Sequence, residues 1–390
     1  MFEVVENKKQ KAVIKVMGVG GCGGNAVDYM IEKNVVGVEF ISANTDLQAL
    51  QKSQANNIVQ IGESLTQGLG AGSRPDTGKQ AALDDKDKII ESIQGADMLF
   101  ITAGMGGGTG TGATPVIAQI AKEQGILTVA VVTKPFEFEG KRTQVAKEGI
   151  TELIKHVDSL ITIPNEKLMG VLGEDVTFVD AFGAANNVLY SAVAGIAEII
   201  NSPGMINVDF ADVKTVMSEM GMAMIGSGYA EGSDRAIIAA KAAVACPLLE
   251  DVNLNNAKGI LVNISASRDF KMKEYFEVME IIKQYAAENA NIIVGNVIDE
   301  GMANSIRVTM VATGLTNQSL MDDNKASDVM KSFVYENDEN QKEEQIDEAV
   351  NEQDDDDALN VFADNSENGL DAMKVQADDE YDIPSFLRKK

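Results

Sequence analysis

Gly104-Met105-Gly106-Gly107-Gly108-Thr109-Gly110-Thr111-Gly112 is the stretch on which the reading of this chain turns. Just before it, Asp97-Met98-Leu99-Phe100-Ile101-Thr102-Ala103 has the length and residue types of a buried strand. Just after it, Val116, Ile117, Ile120 and Ala121 recur at helical spacing. A strand, a glycine loop and a helix in that order present unpaired backbone N–H groups, at the positive end of a helix dipole, to a polyanion. Glycine suits such a loop because phosphates must come close and a Cβ would forbid the backbone shapes required. Thr109 and Thr111 add hydroxyl donors. The alternative is a flexible loop that happens to be rich in glycine. The reading adopted is a phosphate cradle.

It is not the common one, since no G-x-x-x-x-G-K-S/T occurs: Gly78-Lys79 and Gly140-Lys141 lack both the upstream glycine and the following hydroxyl residue. A second loop, Gly18-Val19-Gly20-Gly21-Cys22-Gly23, follows the strand-like Ala12 to Met17 and opens a helix. Alone, its G-x-G-x-x-G suggests a dinucleotide site of an oxidoreductase. Val38 to Ala43, Leu127 to Val132 and Leu160 to Ile163 read as further strands with helical stretches between them. That alternation predicts a doubly wound, mostly parallel α/β sheet. Asp46, after the second strand, either helps order a cation or caps the short helix that follows. Leu69 to Pro75 reads as a loop able to close over a phosphate.

From Thr177 to Asn201 the apolar positions cover much of a helix, which predicts burial between two layers over about 23 residues, or roughly 35 Å. A smaller α+β unit follows, with strands at 223–227, 260–265, 292–298 and 306–313 and helices at 233–245 and 272–287, forming a four-stranded sheet of its own. After about Asn317 the chain turns acidic, holding about 15 of the 27 net negative charges, and is expected to be a disordered linker. Apolar and basic residues return in Tyr381-Asp382-Ile383-Pro384-Ser385-Phe386-Leu387-Arg388-Lys389-Lys390, which reads as a recognition peptide or a frayed tail. The expected boundaries are 11–176, 177–203, 204–316, 317–380 and 381–390.

Composition removes several classes. A formal charge of −27 argues against nucleic acid as the main ligand. The two cysteines, Cys22 and Cys246, form neither a disulfide framework nor a zinc motif. His156 is the one histidine, which excludes histidine metal clusters, and it reads as a helix-terminal polar residue. Cys22 reads as a tolerated small side chain or a reactive thiol. No run approaches the roughly 18 apolar residues of a membrane span, and Met1 to Gln10 lacks a signal-peptide core, so a cytoplasmic protein is expected.

Gly106-Gly107-Gly108-Thr109-Gly110-Thr111-Gly112 resembles the signature loop of the tubulin/FtsZ family of GTPases, and the resemblance extends over residues 10–316 and the last nine. It implies that Gly20, Gly21, Gly106, Gly107, Gly108, Thr109 and Gly110 hold the phosphates of GTP or GDP, with Mg2+ bridging them. It implies that Glu139 and Arg142 hold the ribose side, and that Asn25, Asn165 and Asn186 face guanine with Phe182 stacked on it. Read alone, Asn165 and Asn186 are turn or helix-surface residues. Asn207, Asp209 and Asp212 are implied to complete the hydrolytic site of the next subunit in a head-to-tail filament; read alone, Asp209 is a helix N-cap. Asp382, Ile383, Pro384, Phe386, Leu387 and Arg388 are implied to bind membrane tethers and other division proteins. The resemblance thus points to a self-assembling GTPase of the bacterial division ring, at the inner face of the midcell membrane. The rivals are a tubulin-like filament that partitions DNA and the oxidoreductase, which leaves Phe182 and Asp212 without a role.

Overall fold

The computed structural model describes residues 11–172, 177–201, 208–219, 221–245, 257–287 and 289–315. Strands and helices alternate from the start: β1 (Ile14–Val19), α1 (Gly20–Glu32), β2 (Val38–Asn44), α2 (Leu47–Lys52), β3 (Asn57–Gln60) and α3 (Glu63–Thr66). They continue through α4 (Pro75–Asp84), α5 (Lys86–Ile93), β4 (Met98–Gly104), α6 (Thr109–Glu123), β5 (Leu127–Lys134), α7 (Lys141–Leu153) and β6 (Ser159–Pro164). Next come α8 (Asn165–Leu172), the long α9 (Phe178–Asn201) and α10 (Phe210–Met217). The described chain ends with β7 (Gly221–Glu231), α11 (Arg235–Val244), β8 (Gly259–Ala266), α12 (Met272–Lys283), β9 (Asn291–Ile298) and β10 (Ser305–Leu315).

The strands form one sheet in the order β3-β2-β1-β4-β5-β6-β7-β10-β8-β9. Neighbours from β3 to β7 are parallel, β10 runs antiparallel to β7 and β8, and β9 is parallel to β8. The central strands are buried on both faces, which is why they read as continuous apolar runs. Their side chains alternate between two cores. Met17, Val19, Leu99 and Ile101 join the face covered by α4 to α7. Ile14, Val16, Met98 and Phe100 join the face covered by α1 and α9.

Two expectations change. The second group of strands is not a separate sheet: β7 extends the first one, pairing with β6 from Ser159↔Gly221 to Ile161↔Ala223. The pairing satisfies backbone groups that β6 would otherwise expose as an edge, and Ser159 Oγ adds a hydrogen bond to the Met217 carbonyl at 2.7 Å. Helix α9 is also less uniformly buried than its sequence suggests. Ala185, Leu189, Ala192, Val193 and Ile196 lie in the core, but Val179 near its start is 78% exposed. The last stretch of α9 is held at Gly37, whose carbonyl accepts from Asn201 Nδ2 at 2.8 Å.

Beyond β7, a buried ion pair ties α11 to α12. Arg235 is 2% exposed and donates to both Glu274 carboxylate oxygens, at 2.7 and 3.2 Å. Glu274 also accepts the Lys271 N–H at 2.8 Å. No described helix is long and apolar enough to cross a membrane. The acidic segment after Asn317, the terminal peptide, Asn207 and Cys246 lie outside the described residues.

Candidate nucleotide site

The order β3-β2-β1-β4-β5-β6 reverses direction between β1 and β4, and such a switch point is where open α/β sheets bind ligands, beyond the carboxyl ends of the strands. β1 and β4 pair in register up to Val19↔Ala103, so the two glycine loops that follow them emerge side by side. Each leads into a helix, α1 or α6, whose first turn has no side-chain cap. Two sets of free N–H groups therefore face the same space.

The signature loop is held by one hydrogen bond to β5 and one within itself. Met105 N–H donates to the Thr133 carbonyl at 2.9 Å, and Gly106 N–H to Thr111 Oγ1 at 2.8 Å. Glycine is obligatory at two points. Gly106 has φ of +99°, and at Gly112 a Cβ would lie 1.9 Å from the Pro75 carbonyl oxygen, where α4 crosses α6.

The loops open on a cleft of about 270 Å³. Of the phosphate residues expected, Gly20, Gly21, Gly107, Gly108, Thr109 and Gly110 line it. Glu139, Arg142, Asn165, Phe182 and Asn186 line it as well. Asn25 and Gly106 do not: Asn25 is exposed on α1, and Gly106 turns its back to Arg142. Thr133, Pro135 and Ala185, which carry no motif that would have marked them, complete parts of the wall together with Cys22 of the first glycine loop.

The polar side chains are preset. Arg142 Nη1 meets Glu139 Oε2 at 2.7 Å, while Glu139 Oε1 accepts the Phe136 N–H at 3.0 Å. Phe182 meets buried Phe136 edge-on, with ring centroids 5.6 Å apart and planes at 77°, so its orientation is braced. Asn165 is 5% exposed, yet its side-chain oxygen has no protein partner. A buried acceptor left unpaired in a cleft wall is costly unless a ligand donor meets it. Guanine carries such donors. Burial is the largest influence on the Cys22 thiol and pushes it up; Glu139 adds to this and the Thr133 contact opposes it. Cys22 is thus a neutral thiol rather than an activated one.

Other expected residues lie elsewhere. Asp46 caps α2, accepting the N–H groups of Gln48 and Ala49 at 2.9 and 3.1 Å. Asp209 caps α10 through the Ala211 N–H at 3.3 Å, and Asp212 is exposed one turn further on. Neither aspartate lines the cleft. His156 sits just beyond α7 with Nε2 3.4 Å from Glu152 Oε1, consistent with a helix-terminal role. Two further clefts, between α4, α6 and α7 and between α9 and the strands β8 to β10, are of comparable volume but lack paired glycine loops.

The family model for the GTPase domain of the tubulin/FtsZ family matches residues 13–173, and that for the C-terminal domain of the FtsZ family matches residues 221–316. Over 316 residues the chain is 61% identical to a cell division protein FtsZ of Pseudomonas aeruginosa, covering 81% of this chain and 80% of that protein. The chain belongs to the FtsZ family. A cell division protein FtsZ of Buchnera aphidicola is 47% identical over the full length of both chains. Among solved structures, an empty FtsZ dimer of M. jannaschii superposes with a TM-score of 0.75 at 43% identity, covering 80% of this chain and 90% of that one. CetZ1 of Haloferax volcanii, at 20% identity and a TM-score of 0.69, shares the fold. Membership makes the chain a GTPase of the tubulin fold and a cell-division protein, and removes the oxidoreductase reading of Gly18 to Gly23.

Proposed function

We propose that this FtsZ-family chain binds GTP in the glycine-lined cleft and hydrolyses it when a second copy brings its Asn207–Asp212 segment to that cleft. One observation carries the reading: the cleft is rich in donors, and its one lining carboxylate among the described residues, Glu139, is engaged with Arg142 and the Phe136 N–H. The hydrolytic carboxylates must then come from elsewhere. Asp209 and Asp212 are exposed on α10 and available to another molecule. A contact between such unlike surfaces is heterologous and does not close, so repetition builds a filament.

In this reading the phosphates rest on the N–H groups of the two loops and on Thr109. Asn165 and Asn186 offer both donor and acceptor to the guanine edge, and Phe182 stacks on the ring, an interaction worth about 1–3 kcal/mol for a base. The carboxylates of the neighbouring copy position and polarise the attacking water, a contribution of roughly 10²–10⁴ in rate. Mg2+ belongs to the proposal through its affinity for nucleotide phosphates, which offset its charge. Among the described residues no three carboxylate, thiol or imidazole side chains converge as a metal site, so no protein ligand is assigned to it.

GTP turnover per molecule should collapse below a threshold protein concentration, with light scattering rising above it in GTP but not in GDP or ATP. Specific activity that stays constant on dilution would mean a self-contained site. The terminal peptide is proposed to dock on membrane tethers at the inner face of the division site. Deleting Asp382 to Lys390 should leave hydrolysis within about twofold of wild type, as for changes remote from a site, and abolish recruitment to tether-bearing vesicles. Loss of GTPase activity on that deletion would place the peptide in the folded unit instead.

A further inference from the structure

Helix α10 is eight residues long, shorter than the roughly 12–15 at which a helix holds itself in water. Its place is therefore set by what it touches. Val213, Val216 and Met217 bury one side in the core that α9 also fills. Asp209 and Asp212, toward the other end, are exposed. The last carbonyls of a helix have no partner within it. Among the described residues, two hydroxyls from distant strands supply partners here. Ser159 Oγ, on β6, donates to the Met217 carbonyl at 2.7 Å. Thr313 Oγ1, on β10, donates to the Val216 carbonyl at 2.8 Å, with the Gly259 carbonyl further off at 3.3 Å. Both hydroxyl residues are fully buried. Because β6 and β10 flank β7 in the sheet, the end of α10 is gripped from either side of that strand. The fit is close: a Cβ on Gly259 would lie 2.6 Å from Thr313 Oγ1 and 3.0 Å from Val216 Cγ1.

We propose that Ser159 and Thr313 are positioning residues for hydrolysis, fixing the rotation of α10 and so aiming Asp209 and Asp212 at the cleft of the next copy. This role rests on the shared site proposed above. Consecutive carbonyls stand about 100° apart around a helix of 3.6 residues per turn. Donors on two adjacent carbonyls therefore oppose rotation about the axis, which non-directional apolar packing resists only weakly. Rotation matters because side-chain ends stand roughly 5–6 Å from the axis. A turn of about 15° moves them by roughly 1.4 Å, and a displacement near 1 Å can cost about 10²-fold in rate. Ser159 opens β6, whereas Asn165, which lines this copy's own cleft, follows the far end of that strand. The six steps of strand between them span roughly 20 Å. Ser159 is thus remote from the nucleotide its own copy holds, and bears on the one its neighbour holds.

Full-length variants assayed well above the assembly threshold separate this role from general stability. Ser159→Ala and Thr313→Val should each lower kcat roughly three- to tenfold, as expected for one neutral hydrogen bond, and the double variant by roughly 10–100-fold. Thr313→Ser keeps the hydroxyl and should stay within about twofold of wild type. GTP affinity, from calorimetric titration below the threshold, should change by less than about twofold in every variant, as for changes remote from a site. Mixing then tells a defective α10 from a defective cleft. With an equal amount of Gly107→Glu, which blocks its own cleft but offers an intact α10, the double variant should recover toward roughly a quarter of the wild-type rate. With Asp212→Ala, which keeps its cleft but lacks the carboxylate, it should turn over no faster than the mean of the two parents. Should the double variant fail to fold, Ser159→Ala carries the same mixtures. Weakened GTP binding, unchanged kcat in the double variant, recovery with Asp212→Ala, or no recovery with Gly107→Glu in mixed filaments would overturn the proposal. Gly107→Glu mixed with Asp212→Ala is the control: if that pair also stays at the parental mean, the shared site itself has failed, and the positioning role falls with it.

Discussion

Equal amounts of the Asp212→Ala and Gly107→Glu proteins, mixed, should hydrolyse GTP at up to roughly a quarter of the wild-type rate, although each alone is slower by roughly 10²–10⁴-fold. The first variant keeps its cleft but offers a defective carboxylate to its neighbour. The second offers intact Asp209 and Asp212 but cannot hold nucleotide. Random co-assembly produces four ordered pairings, about one quarter of which join an intact cleft to an intact α10. Gly107 is the better site for the second variant because it lines the cleft and a Cβ there meets nothing within 4 Å. A glutamate can therefore put bulk and negative charge at the cleft without displacing the fold. Gly108 is a worse choice, since its Cβ would first push against Ala71 and Arg74. The loss in either parent, about 3–5 kcal/mol at those rates, is large enough for recovery to stand clear of background. Mixed filaments, verified by co-sedimentation, that turn over no faster than the mean of the parents would show that Asp212 acts within its own subunit.

Arg235→Met should cost about 3–5 kcal/mol of stability near neutral pH, the usual effect of stripping one partner from a buried pair. Asp269 Oδ2, at 3.1 Å from Arg235, loses a partner too, but it is exposed and contributes less. The sign of the pH dependence follows from Glu274. Burial pushes its carboxyl up, yet the Arg235 hydrogen bonds, the Lys271 N–H and the Arg235 charge together hold it below the ordinary value of 4.5. Its wild-type contribution is therefore present above about pH 4.5 and is lost as pH falls through the lowered folded value. In Arg235→Met burial dominates, the carboxyl rises, and the deficit should shrink on acidification because protonation relieves the unpaired charge. Adding Glu274→Leu should restore much of the loss at pH 7, since an apolar pair of similar volume often replaces a buried ion pair well. Urea unfolding at several pH values measures all three proteins. A deficit that grows on acidification, or a double variant no more stable than Arg235→Met, would show that the pair is not what holds α11 to α12.

The glycine loops, the apolar strands β1, β4 and β5, and the helix α9 were legible along the chain because their signals are local. A strand buried on both faces needs apolar residues throughout, and a loop with φ above zero or a carbonyl against it needs glycine, whatever lies far away. Pro75 reads as the end of the Leu69 to Pro75 loop, whereas it is the first residue of α4, a position that suits proline. Between residues 47 and 93 only the short helix after Asp46 is expected from the sequence; β3, α3, α4 and α5 are short elements that owe much of their form to packing. Other features depend on partners distant in sequence. That Phe136 braces Phe182, that Thr133 and Cys22 wall the cleft, and that Thr45 reaches Thr109 follow from strand order, which no local pattern encodes. The extension of the sheet from β6 into β7 is of the same kind: an unpaired edge calls for a partner, but the register that supplies it exists only in the folded chain. The two loops could each be recognised as phosphate binders in isolation; that they bind in one place is the work of the β1–β4 pairing, because only adjacent parallel strands bring both helix N-termini to the same end of the sheet.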